Sequence, residues 1–120
     1  MNQHTNSPID LVQLNQISEG DIEFEVEVLQ VYVEDISQRI EKLREAIANN
    51  NLLQISQEAH HMKGSSSNVG ALQVRDLAVQ IEGLNLEQDL EKALNILDDM
   101  DMAIQAVDGF VLQKAAKLSS

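Results

Sequence analysis

The 120-residue chain has no cysteine and no tryptophan, one proline, one tyrosine and two phenylalanines. Without cysteine there is no disulfide framework and no thiolate metal site, and the sequence carries no mark of a redox compartment. A single proline and five glycines argue for long helices rather than many short strands and turns. The scarcity of aromatics leaves the core to aliphatic side chains. Basic residues are few as well: 8 Lys and Arg face 20 Asp and Glu, a formal net charge of −12. Such a surface repels a phosphate backbone, so no nucleic-acid partner is expected, and the plain consequence of the charge is solubility. No segment approaches the roughly 18 consecutive apolar residues of a membrane span. The polar N-terminus has no apolar run of signal-peptide length. The expectation is one cytoplasmic domain over residues 7–120 behind a flexible N-terminus, residues 1–6, large enough to bury roughly two-thirds of its unfolded surface.

What the chain does have is helical periodicity. Ser7-Pro8-Ile9-Asp10 reads as a helix start, with Ser7 as cap, Pro8 in the first turn and Asp10 three residues after the cap. Leu11, Leu14 and Ile17 follow as an apolar stripe, broken at Ser18-Glu19-Gly20-Asp21. A second helix of about 21–49 is predicted by Ile22, Val26, Leu29, Tyr32, Val33, Ile36, Ile40, Leu43 and Ile47, which recur at three- and four-residue steps. Asn49-Asn50-Asn51 ends it. A third helix of about 52–68 carries an inward seam of Leu52, Ile55, Ala59, Met62, Ser66 and Val69, where Ser66 is small enough for a neighbour to come close. Gly70 breaks it. Leu72, Leu77, Ile81 and Leu84 mark a fourth helix of about 71–83. A fifth, about 87–118, turns Leu90, Leu94, Leu97, Ile104, Val107, Val111, Ala115 and Leu118 inward; Gly109 inside it has no evident reason. The fold class is all-α: an antiparallel four-helix bundle with a short additional N-terminal helix over one end.

The chemistry concentrates in the third helix. His60, Lys63 and Gly64 stand at i, i+3 and i+4, hence on one face. His60 is rotated by about 100° from the seam residue Ala59, at the seam's edge or outside it. Ser67 continues the His60 face, and Ser56 and Gln57 lie one turn before. Neutral imidazole offers a lone pair that can attack a phosphoryl centre, and a lysine beside it stabilises the phosphoryl oxygens. A mid-helix glycine costs about 1 kcal/mol against alanine. Gly64 either opens the surface for a partner approaching His60 or lets two helices of the bundle pack closely. His61, rotated by a further 100° or so, lacks a lysine placed as Lys63 is and reads as flanking. If the chain reverses near Gly70 and Ala71, the antiparallel neighbour of His60 falls near position 81 or 82. Glu82 is the polar candidate there: it either accepts from one imidazole nitrogen and fixes the tautomer, or is an ordinary solvated glutamate.

The stretch Ala59-His60-His61-Met62-Lys63-Gly64-Ser65-Ser66, followed by Asn68-Val69-Gly70-Ala71, resembles the histidine-containing phosphotransfer (HPt) domains of multistep phosphorelays. Their core pattern is His-x-[Leu/Met]-Lys-Gly-Ser-Ser. Leu14-Asn15-Gln16-Ile17-Ser18-Glu19-Gly20-Asp21 resembles the family's entry into its second helix, and Phe24 and Val28-Leu29 fall at apolar positions of the family. The resemblance implies that His60 is the phosphoacceptor, loaded from a receiver domain's aspartyl phosphate and unloaded onto another receiver. Lys63 and Gly64 match the motif lysine and glycine; Gln57 and Ser67 are supporting candidates by their place around His60 on the helix. It implies receiver-domain partners, with or without a hybrid histidine kinase, no ATP binding, no cofactor of its own, and Mg²⁺ supplied by the receiver. A monomer is expected. Glu82 stands where many members have glutamine. That is a departure, since a carboxylate favours imidazolium and repels a bound phosphoryl group.

Three rival readings follow from the same residues. Glu58-x-x-His61 matches half of a di-metal carboxylate site, which needs a second such motif and further inward glutamates; the one remaining histidine is His4. A helical adaptor that is never phosphorylated is opposed by Lys63 and Gly64. A histidine-kinase dimerisation domain would have an acidic residue after the histidine, where this chain has His61. Met1 and the polar tail favour a standalone protein over a piece of a hybrid kinase.

Overall fold

The computed structural model describes residues 7–119, and the expected flexible segment 1–6, His4 included, lies outside the described residues. Five helices follow one another: α1 Leu11–Ser18, α2 Ile22–Ala48, α3 Leu52–Val69, α4 Leu72–Glu82 and α5 Leu86–Ser119. Helices α2, α3, α4 and α5 form a closed ring in which each packs on two others: α2 on α3 and α5, α4 on α3 and α5. This is the antiparallel four-helix bundle, and α1 lies across α2 and α3.

The core follows the three- and four-residue spacing. On α2 the buried line is Val26, Leu29, Tyr32, Ile36, Ile40, Leu43 and Ile47; on α3 it is Ile55, Ala59, Met62, Ser66 and Val69. Each large aliphatic side chain buried there contributes about 1.5–3 kcal/mol. Two expectations at the helix starts fail, because Ile22 and Leu52 are exposed. Both are the first residues of their helices, at the ends of the bundle.

The first helix begins later than its sequence suggests. Asp10, not Ser7, is the cap: its carboxylate accepts from the backbone N–H groups of Val12 and Gln13 at 3.0 and 3.4 Å. Pro8 lies outside the helix, and the Ser7 hydroxyl donates to the Ile9 carbonyl at 2.6 Å. Tertiary contacts decide this. Ile9 is fully buried, and the Asp10 N–H donates to the Gly70 carbonyl at 2.8 Å. Leu11, expected inward, faces solvent as a result.

Gly70 sets the α3–α4 corner. It takes φ of +85° and closes α3 with the paired bonds Ala71 N–H to Ser66 O at 2.8 Å and Gly70 N–H to Ser67 O at 3.4 Å. A Cβ here would stand 2.8 Å from the Asp10 carbonyl. The left-handed backbone and the close approach of α1 both require glycine. The tight reversal lays α4 antiparallel along α3.

In α5 the inner line is Ala93, Leu97, Met100, Ile104, Val107 and Val111, with Ile96 and Ala103 beside it. Leu90, Leu94 and Leu118, expected inward, are exposed. Asp89 has non-helical angles (φ −115°, ψ 27°), so Leu90 follows directly on a kink. Leu94 yields to Ala93, which is smaller but lies on the line through Leu97 and Met100. On α4, Val74 and Ala78 join Ile81 in the core, whereas Leu72, Leu77 and Leu84 are only half-buried. A side chain at Gly109 would meet nothing within 4 Å, and the structure gives no reason for that glycine.

Candidate functional site

His60 projects from the middle of α3 with 75% of its side chain exposed, while its neighbours Ala59 and Met62 are fully buried. The helix is thus anchored on one side and presents imidazole on the other. Lys63, one turn on, is half-buried and on the same face. Gly64 is exposed, and a Cβ there would meet nothing within 4 Å. The two readings of this glycine are thereby separated: among the described residues no other helix packs against it, and the bare backbone lies open beside Lys63.

Glu82, at the end of α4, reaches both residues. Its Oε1 stands 3.1 Å from Lys63 Nζ and its Oε2 3.8 Å from His60 Nδ1. The first is an ion pair at hydrogen-bond distance; the second is longer than a direct hydrogen bond. Counting back from the Gly70 reversal therefore finds the right neighbour. The carboxylate lies on the Nδ1 side of the ring, which leaves Nε2 for an incoming group. Gln57 is exposed one turn before His60. The Ser67 hydroxyl donates to the Lys63 carbonyl at 2.8 Å, so it braces its own helix instead of pointing at the imidazole.

His61 belongs to a different network. Its Nε2 lies 3.4 Å from Asp35 Oδ2, and Arg39 donates to the same oxygen at 3.0 Å and to Glu58 at 2.9 Å. Burial lowers the pKa of the Arg39 guanidinium, but its hydrogen bonds and ion pairs to Asp35 and Glu58 outweigh this and raise it above the ordinary value. Glu58 is buried and spent on Arg39, which removes it from any metal-binding role with His61. Among the described residues no group of three or more histidine, aspartate and glutamate side chains is placed to hold a metal ion.

Sequence reasoning missed two features behind the site. Ser66, read only as a small residue, shares a hydrogen bond of 2.6 Å with the buried Tyr32 hydroxyl and fixes α3 against α2. Burial pushes the Tyr32 phenol well above its ordinary pKa and outweighs the opposing hydrogen bond from Ser66, so it is neutral. The Asp35–Arg39 pair was visible as an i, i+4 spacing, but its link to Glu58 needed the register between α2 and α3. A cleft of about 490 Å³ opens below Glu82, lined by Leu52, Ile55, Ser56, Ile81 and Leu84 among others.

Among the described residues no helix is long and apolar enough to cross a membrane. Comparison with known proteins gives concordant results. The chain is 29% identical over 90 residues to the phosphorelay intermediate protein rdeA of Dictyostelium discoideum, covering 75% of this chain but 35% of that protein. It is 30% identical over 104 residues to histidine-containing phosphotransfer protein 2 of Arabidopsis thaliana, covering 80% of this chain and 67% of that protein. The fold matches the crystal structure of histidine-containing phosphotransfer protein B from Pseudomonas aeruginosa with a TM-score of 0.82 at 21% identity, over 93% of this chain and 97% of that one. The Hpt domain model matches residues 27–110, from the second turn of α2 into the last third of α5, with His60, Lys63 and Gly64 inside that span; the chain belongs to the Hpt domain family.

Proposed function

We propose that this protein is a phosphorelay intermediate that accepts a phosphoryl group on His60 from a receiver-domain aspartyl phosphate and passes it to another receiver domain. The observation that carries the reading is the exposed imidazole of His60 with Lys63 one turn away and a bare Gly64 backbone beside it. The Nε2 lone pair attacks phosphorus as the acyl P–O bond breaks, and the electron pair of that bond leaves on the receiver's carboxylate. The ring keeps its Nδ1 proton through the step. Lys63 neutralises the phosphoryl oxygens, and the rigid α3–α4 wall supplies the orientation that makes the transfer effectively unimolecular.

The proposed partners are response-regulator receiver domains, free or within a hybrid histidine kinase, met in the cytoplasm. Mg²⁺ belongs to the receiver's acidic pocket, and the chain acts as a monomeric carrier without a cofactor or kinase activity of its own. The test is transfer of labelled phosphoryl from a chemically phosphorylated receiver to wild type and to His60→Gln. Acid-labile, base-stable label on wild type and none on His60→Gln is the expected result. Label retained by His60→Gln moves the site to His61, and no label from any of a panel of receivers makes the chain a silent helical adaptor.

A further inference from the structure

The carboxylate of Glu82 faces both side chains on which a phosphoryl group at His60 depends. It already holds the Lys63 ammonium at 3.1 Å, and its other oxygen faces His60 Nδ1 at 3.8 Å. A phosphoryl group arriving at Nε2 must therefore compete with Glu82 for Lys63. The Nδ1 side matters for the bond itself. When the N–P bond breaks with Nδ1 protonated, the departing group is neutral imidazole; with Nδ1 bare it is imidazolate, a much poorer leaving group. The Glu82 charge lies on the Nδ1 side of the ring, where it attracts the proton that Nδ1 carries. The two effects act in the same direction.

We propose that Glu82 is a positioning residue whose negative charge keeps the phosphoryl group on His60 short-lived and easily passed on, an inference that rests on the phosphotransfer reading above. In hydrolysis, water oxygen bonds to phosphorus as the Nε2–P bond breaks, the electron pair returns to Nε2, and the proton of the attacking water goes to solvent. In productive transfer the receiver's carboxylate oxygen takes the place of water. A neutral amide at position 82 has the same shape but makes no ion pair with Lys63 and places no charge beside Nδ1.

Phosphoramidate loads histidine directly, without a receiver. Wild type, Glu82→Gln and Glu82→Asp are loaded this way, each with His4 and His61 replaced by Gln so that the signal reports His60. Decay of the phosphohistidine resonance is followed by phosphorus NMR at neutral pH. The expected half-life of Glu82→Gln is about twofold to fivefold longer than wild type, the range of one solvent-exposed charge pair, with Glu82→Asp close to wild type. A half-life in Glu82→Gln equal to or shorter than wild type overturns the proposal. So does an equal lengthening in Glu82→Asp, which would mean that charge is not the cause. Because no receiver is used, either failure leaves the relay reading standing; that reading falls only if transfer from receivers to the wild type fails.

Discussion

The hydroxyls of Tyr32 on α2 and Ser66 on α3 lie 2.6 Å apart in the core, and Ser66 has no exposed surface. Ser66 stands four residues after Met62 on the buried side of α3, so this bond braces the helix that carries His60. Removing either partner leaves a buried hydroxyl without its mate, at a cost of about 1–3 kcal/mol. Tyr32→Phe and Ser66→Ala are each expected to lose about that much in urea unfolding. The double variant is expected to lose clearly less than the sum, because no orphaned group remains. Strict additivity would show that the two hydroxyls do not depend on one another.

Gly64 separates stability from function. A Cβ at this position meets nothing within 4 Å, and the backbone is helical. Gly64→Ala is therefore expected to raise the unfolding free energy by about 0.5–1 kcal/mol, because alanine loses less chain entropy in a helix. The same methyl group stands on the open surface beside Lys63, where, under the proposed function, a docking partner comes close to deliver a phosphoryl group to His60. Displacing the partner by the width of a methyl is expected to slow transfer on the order of tenfold to a hundredfold. A higher melting temperature with an unchanged transfer rate would show that no partner touches this glycine.

Much of this arrangement was legible because it is local. His60, Lys63 and Gly64 share a face by their spacing alone, and Glu82 was reached by counting back across a single tight reversal at Gly70. The helices themselves announce their inner faces, since only a 3.6-residue repeat brings Leu29, Ile36, Ile40 and Leu43 into line. What escaped depends on contacts between elements. Ser7 and Asp10 are both good caps, and the choice fell to Asp10 because burial of Ile9 and the bond to Gly70 hold the preceding backbone extended. Leu90 and Leu94 outweigh Ala93 in size, but the kink at Asp89 and the angle of the inner line favour Ala93. Whether Gly64 met a helix or solvent was a question of what packs beside α3, which no spacing within α3 answers.

Glu25 makes the fold sensitive to acid. It is buried where α2 begins, accepting from Ser18 at 2.5 Å and from Lys114 of α5 at 2.8 Å. Burial alone would raise its pKa, but the hydrogen bonds from Lys114 and Ser18 outweigh it and hold the carboxyl below its ordinary value of 4.5. A depressed folded-state pKa means that the stabilisation is fully present above the unfolded value and is lost as the pH falls through the folded one. The stability difference between wild type and Glu25→Gln, measured by urea unfolding, is therefore expected to be constant above about pH 6 and to shrink as the pH drops below 4.5. A difference independent of pH across that window would show that the Glu25 charge is not what ties α1 and α2 to α5.

The network at His61 calls for the opposite treatment from that at His60. Arg39 joins Asp35 on its own helix to the buried Glu58 on α3, and His61 adds only a contact of 3.4 Å to the outer edge of Asp35. Arg39→Met keeps the aliphatic stem but leaves Glu58 buried without a cation. The unpaired carboxylate is the costly element, so the loss is expected at about 2–4 kcal/mol. His61→Gln removes a half-exposed contact and is expected to cost under about 0.5 kcal/mol. It is also expected to leave phosphoryl transfer near the wild-type rate, because the contact to Asp35 turns this imidazole toward α2 and away from Lys63. Transfer and urea unfolding measured side by side on the two variants check both halves. If His61→Gln abolished transfer while leaving the fold intact, His61 would belong to the acceptor machinery, and the separation of the two histidines by helix face would be wrong.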